Sequence, residues 1–290
     1  MLDNIDIAKV LFLDIECVSA TEKYTDLSEE MQYLWKLKAA TALKRYGEKI
    51  NDEDAEGAYV EKAGIYAEFG KIICISVGIV FRDKDKSLKL RLKTFANHNE
   101  KKLLEDFNKM LAQYYPDPTR MYFCGHNIKE FDIPYMCRRM IINYLKLPPT
   151  MNIAGKKPWE TKHLLDTMEL WKFGDRKSWT SLKLLAGVLG FPSPKDDIDG
   201  SEVGRVYWAD KDLERIGIYC EKDVLATVQL FLRYKLMPLL EEEQVSSATK
   251  WEEIEDEQPA DVVVLESEEE TTEEVEKAPV EEKKKKGKKK

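Results

Sequence analysis

The sequence predicts an α/β fold, a mixed β-sheet flanked by helices, on three observations. Runs rich in β-branched and aromatic residues recur at about residues 9–15, 72–81, 88–95, 120–124 and 162–166. Stretches with helical periodicity separate the later runs, which suits parallel crossover connections. Only "RDKDKS" separates the second run from the third, which suits an antiparallel hairpin.

Taken in order, "LFLDIECVS" (11–19) is an apolar run that ends in two acidic side chains, Asp14 and Glu16. Residues 21–70 interrupt the sheet plan. There "SEEMQYLWKLKAATALKRYG" has helical periodicity and good helix formers, and reads as a helix inserted after the first strand. Its Lys36, Lys38, Lys44 and Arg45 fit either contacts along a phosphate backbone or an ordinary solvated helix face. Further helices are expected at 99–115, 131–147, 181–190 and 212–236. In the last of these, Ile216, Ile218, Val224, Leu225 and Val228 imply burial against the sheet.

Composition divides the 290 residues unevenly. From Glu241 onward there are 18 acidic and 9 basic residues, and Trp251 is the single aromatic, so the tail cannot bury a core. Residues 1–240 are expected to form the folded domain, and 241–290 a disordered acidic tail ending in a lysine block. The net charge of −8 belongs to that tail, since the first 240 residues stand near +1. A balanced body neither requires nor excludes a polyanionic partner. The terminal lysines suggest nonspecific contact with nucleic acid, and "DVVVLE" suggests pairing with a partner's sheet edge.

The five cysteines are odd in number and scattered, without a C-x-x-C pair, which suits a reducing compartment. "MLDNIDIAKV" lacks the basic and apolar regions of a leader. "IICISVGIVF" is half a membrane span. A cytoplasmic protein without a membrane partner is expected.

Three acidic elements carry the chemistry. Asp14 and Glu16 are two apart on a strand and project to one side of it. Two like charges so close raise each other's proton affinity unless a cation intervenes. In "FCGHNIKEFDIP" (123–134), a strand ends near Cys124, Gly125 permits a turn, and Asp132 opens the next helix. Alone, that aspartate reads as a helix cap. In "YCEKDV" (219–224), Tyr219 and Asp223 are four apart and share a helix face. An aspartate within a largely buried helix is costly without a partner. Asp14, Glu16, Asp132 and Asp223 together would suit two hard divalent cations held through oxygen.

"LFLDIE", "NIKEFD" from Asn127 to Asp132 and "YCEKD" from Tyr219 to Asp223 occur in that order, and the chain resembles the DEDD exonuclease superfamily. Tyr219, where a sister branch has histidine, marks the resemblance as one to the DEDDy branch. The whole is similar to the proofreading exonuclease domain of family B DNA polymerases, here as a stand-alone protein, over about residues 8–237. Cys17 departs from the threonine common in the first motif and leaves the acidic positions intact. The resemblance implies a ribonuclease H-like fold and removal of nucleotides from a 3′ end of single-stranded DNA. It implies two ions, Mg2+ or Mn2+, roughly 3.5–4 Å apart. Asp14 would bridge them, Glu16 and Asp223 would complete the tighter site, and Asp132 would help hold the second ion. Tyr219 would orient the attacking water, its unperturbed pKa of about 10 making it a poor base. The implied partners are nucleic acid and, in trans, a DNA polymerase or repair protein.

Other residues carry paired expectations. Asn127 suits a substrate contact or a turn, and Phe131 suits stacking on a base or a place in the core. His126 reads as structural, and Asp166 in "LLDT" as a helix cap. In the polar loop 193–208, Arg205 is a candidate phosphate contact, while Lys195, standing where calcium loops begin with aspartate, argues against calcium. The nearest competing function is a 3′–5′ exoribonuclease similar to ribonuclease D. A noncatalytic nucleic-acid-binding protein is the third reading, opposed by the clustered acids.

Overall fold

β1 (Val10–Ser19) is buried on both faces, which explains its unbroken apolar start. Leu11, Leu13 and Ile15 pack with α3 (Glu100–Tyr114) and α4 (Asp132–Ile142) through Leu103, Phe107, Ile133 and Met136. The alternate positions Val10 and Phe12 pack with α8 (Leu213–Tyr234) through Val224, Val228 and Phe231. The period of two along one strand thus separates two cores.

The computed structural model describes residues 2–175, 177, 179–192 and 197–254. Its sheet has six strands in the order β5-β4-β1-β2-β3-β6. The remaining strands are β2 (Gly70–Arg82), β3 (Leu88–Ala96), β4 (Tyr122–Gly125), β5 (Leu164–Asp166) and β6 (Val245–Ser247). β1, β2 and β3 pair antiparallel, whereas β4 is parallel to β1 and β5 to β4. The mixed α/β sheet expected from the sequence is therefore the observed architecture. α8 lies along β1, β2 and β3 on one face, and its close approach depends on Gly78. A Cβ there would stand 2.9 Å from Val224 Cγ1 and 3.1 Å from Leu90 Cδ1. Of the apolar positions assigned to the buried side of α8, Ile218 is an exception at 42% exposure.

The 21–70 insert holds two helices, α1 (Glu29–Ala42) and α2 (Asp52–Lys62), around a small aromatic core. Trp35 is fully buried, packs edge-on to Tyr59 and Phe69, and donates its indole N–H to the Ala55 carbonyl at 2.8 Å. Three of its four noted basic side chains are engaged locally. Lys36 pairs with Asp52, Arg45 pairs with Asp54 at 2.6 Å, and Lys38 lies over the Tyr66 ring. This favours the solvated-face alternative for them.

The boundary at residue 240 needs correction. Residues 241–254 continue the fold: β6 pairs parallel with β3, and Trp251 packs against the core beneath α8. Composition misses this because the segment is fixed by hydrogen bonds from Gln244, Ser246, Ser247 and Thr249 side chains with only a few apolar contacts, those of Val245 and Trp251 among them. Lys195, "DVVVLE" and the terminal lysines lie outside the described residues. Shorter elements complete the chain: α5 (Thr167–Lys172), α6 (Leu182–Leu189) and α7 (Val203–Arg205), the last running into a π turn over Val206–Asp210.

Candidate active site

β4 pairs with β1 only as far as Phe12 and Cys124, whereas β1 continues along β2 to Ser19. From Asp14 onward one edge of β1 is therefore open on the β4 side, and the N-terminus of α4 fills that position. The chain reaches it through a tight corner. A Cβ on Gly125 would meet Ile128 Cβ at 2.9 Å and the Leu13 carbonyl at 3.0 Å, so the glycine is required by space. The left-handed conformation of the corner falls on Asn127, at φ 69°.

Asp132, the first residue of α4, is 3% exposed. Burial is the largest influence on its carboxyl and raises its pKa from 3.8 to about 7. Asp166 and Asp223 add to the rise, while backbone hydrogen bonds from Asp132 itself and Ile15 oppose it. Asp14 is raised well above the ordinary carboxylate range, first by burial and then by Asp132, Asp223 and Glu16. Tyr219 is 7% exposed, and its hydroxyl is held protonated by burial, by the charges of Asp223 and Glu16, and by a hydrogen bond to Asp223. Three segments remote in sequence thus act on one another, and the neighbouring charges that dominate at Asp14 are all negative.

The donor set fits hard divalent cations. Asp14, Glu16, Asp132 and Asp223 offer oxygen ligands, and a cation would relieve the repulsion that raises Asp14. Cys220, which sequence reasoning passed over, also reaches the site. Its Sγ lies 3.6 Å from Asp14 Oδ2, and ligand atoms of Asp14, Glu16 and Cys220 fall within 4.8 Å of one another. Burial pushes its thiol well above the ordinary range, so in the metal-free protein it is protonated. The signal was present: Ile216, Cys220 and Val224 form the stripe of α8 that faces the sheet.

The other noted residues surround this cluster unevenly. Asn127 donates its backbone N–H to Asp166 Oδ1 at 3.0 Å and lines a cleft with Lys129, Lys172 and Trp179. Phe131 is half-buried, packs against the core, and lies 5.4 Å from the Tyr135 ring. Asp166 caps α5 through Met168 and Glu169 N–H. His126 bonds Thr167 Oγ1 and the Thr180 carbonyl, each at 2.9 Å. Arg205 is not gathered into the cluster. It is paired with Asp210 at 2.6 Å and Glu202 at 3.6 Å. Tyr219 lines a second cleft, where the cations are Arg215 and Lys222.

A family described as "Predicted 3'-5' exonuclease related to the exonuclease domain of PolB" matches residues 65–271. The match contains α4 and α8 and begins after β1. Among solved structures, a family B DNA polymerase from the hyperthermophilic archaeon Pyrobaculum calidifontis is similar, at 15% identity and a TM-score of 0.47. That likeness covers 78% of this chain and 24% of the polymerase, so the chain spans about a quarter of its length. No curated protein sequence matches. On the extent of the family match, the chain belongs to the predicted 3′–5′ exonucleases related to the exonuclease domain of PolB, hydrolases acting on phosphodiester bonds.

Proposed function

We propose that the chain is a metal-dependent exonuclease that removes nucleotides from 3′ ends of single-stranded DNA. Asp14, Glu16, Asp132 and Asp223 hold two ions, Mg2+ or Mn2+. The observation that carries this reading is that Asp14 and Glu16 of β1 meet the Cys220 turn of α8 within 4.8 Å, with the acids of α4 and α8 near enough to raise Asp14. When bound, the ions would supply a nucleophilic water near neutral pH and neutralise charge on the phosphate.

The chain's own groups do the positioning. Asp14 is acted on by acids of both α4 and α8 and would help hold the ions. Tyr219 keeps its proton in the metal-free protein and hydrogen-bonds Asp223, and its hydroxyl would orient a water. Arg215 and Lys222 stand beside Tyr219, and Lys129 and Lys172 line the cleft with Asn127; Arg215 is paired with Asp197 and Lys129 with Glu169, so Lys222 and Lys172 are the cations proposed to meet a phosphate backbone. The proposed partners are nucleic acid and a DNA polymerase or repair protein.

The test is a 5′-labelled DNA oligonucleotide with Mg2+ and a matched RNA strand. The wild type should generate a ladder of 3′-shortened products that EDTA abolishes. Asp14→Ala and Asp223→Ala should each lose at least about 10²–10³ in rate while keeping their circular dichroism. Near-normal hydrolysis by both variants would refute the assignment, and faster trimming of RNA would transfer it to exoribonuclease chemistry.

A further inference from the structure

Glu221 lies in the same turn of α8 as Tyr219 and Asp223, yet its carboxylate is engaged elsewhere. Glu221 is 8% exposed, and its Oε1 accepts from three hydroxyls: Thr94 at 3.0 Å, Ser247 at 2.9 Å and Thr249 at 2.5 Å. A buried carboxylate is tolerated only when donors compensate it, and here two of the three come from the segment that follows α8. Thr249 Oγ1 also accepts from the Thr94 backbone N–H at 2.8 Å. The Thr94 hydroxyl in turn lies 2.7 Å from Ser76 Oγ. Ser76 is the register partner of Asp14 across β1 and β2, so a polar row leads from the C-terminal segment to the strand position beside Asp14.

A second contact lies one turn earlier on α8. The Trp251 indole occupies the space over Gly217 so fully that a Cβ there would be 2.1 Å from its Cη2. Gly217 and Glu221 are four apart and share one helix face, and Tyr219 and Asp223 share another. The C-terminal segment therefore holds the same turns of α8 that present the proposed catalytic side chains.

We propose that residues 244–251 are a positioning strap, in which Glu221 and Trp251 fix the rotation and height of α8 and so aim Tyr219 and Asp223 at Asp14 and Glu16. The proposal rests on the exonuclease reading above for its kinetic consequence. Glu221 bonds the hydroxyls of Thr94, Ser247 and Thr249, and Trp251 packs over Gly217. Both act through the helix.

The experiment uses the full chain and compares Trp251→Ala, Glu221→Ala and Glu221→Gln with wild type. It measures kcat and KM on a single-stranded DNA oligonucleotide and amide hydrogen exchange of α8. Displacing a catalytic group by a fraction of an ångström to one ångström costs about ten- to a hundredfold, so kcat should fall by that factor in both alanine variants. KM should stay within about twofold, since contacts to the strand are retained. Exchange should rise in 213–223 and stay unchanged in β1 and β2. Glu221→Gln keeps an acceptor oxygen and should recover most of the rate. Leu111→Ala on α3, a core truncation packed against the other face, should lower stability without lowering kcat per folded molecule. Wild-type kcat and exchange in Trp251→Ala would overturn the proposal, as would an equal kcat loss in Leu111→Ala. Should Trp251→Ala fail to fold, the contrast between the two Glu221 variants decides. A wild-type protein without hydrolysis would sink the exonuclease reading, while the exchange data would still decide whether the strap holds α8.

Discussion

Replacing Asp132 with asparagine should stabilise the metal-free protein, and more so as the pH rises. The carboxyl of Asp132 is raised from 3.8 to about 7 in the fold. A raised acid favours the folded state only while it carries its proton. That contribution is fully present below about pH 3.8 and is lost as pH climbs through about 7. The whole span is about three pKa units, or about 4 kcal/mol, of which about 2–3 kcal/mol falls between pH 5 and pH 8. The substituted amide would be neutral throughout and could still accept from the backbone N–H groups. Its removal of charge also relieves Asp14, so the gap between variant and wild type widens. The assay is urea unfolding in EDTA at pH 5, 6, 7 and 8. Asp132→Asn should gain about 2–3 kcal/mol on wild type across that range, and Mn2+ should restore the wild type alone at pH 8. A gap that does not change with pH would refute the electrostatic account of the cluster.

Two further outcomes concern the frame. Arg139→Met should cost about 3–5 kcal/mol in urea unfolding, because it strands the buried Glu100 carboxylate. Arg139 holds that group through Nε at 2.8 Å and Nη2 at 2.5 Å, and adding Glu100→Gln should recover much of the loss. Asp166→Ala should cost about 2–3 kcal/mol by thermal melting, with Asp166→Asn losing less. Asp166 accepts from four backbone N–H groups, those of Asn127, Lys129, Met168 and Glu169.

What the sequence discloses follows from which interactions leave a local trace. β1, β2, β4 and β5 are visible as short continuous apolar runs, β3 by its alternation, and the long helices by a period near 3.6. The acidic positions are visible because charge within an apolar run and inside an apolar helix contradicts that same pattern, although β1 does not end at them as expected but continues to Ser19. α2 is hidden because "DEDAEGAYVEK" buries only Ala55, Ala58 and Tyr59, too few to register as an amphipathic stripe. β6 is hidden for a different reason. It is three residues at the sheet edge inside an acid-rich stretch, and its register partners Leu90, Arg91 and Leu92 lie far away in sequence. Arg205 fails as a clue because a basic residue in a loop says nothing about acidic neighbours three and five positions away.

The competition at Asp132 bears on the proposed cation site. As first residue of α4 it stands at the positive end of a helix dipole, worth about 0.3–1 kcal/mol toward the ionised form. Backbone hydrogen bonds from Asp132 and Ile15 act in the same direction. Yet the carboxyl ends raised to about 7, so burial and neighbouring acids outweigh both by about 4 kcal/mol. A helix cap selected for stability is surrounded by donors, as Asp166 illustrates by accepting four N–H groups. Asp132 is held where it destabilises the empty site, and the interaction that could reverse the sign is a positive charge placed between β1, α4 and α8. The capping explanation that suffices for Asp166 therefore does not suffice for Asp132, although the two residues look alike in sequence, each standing at the start of a helix.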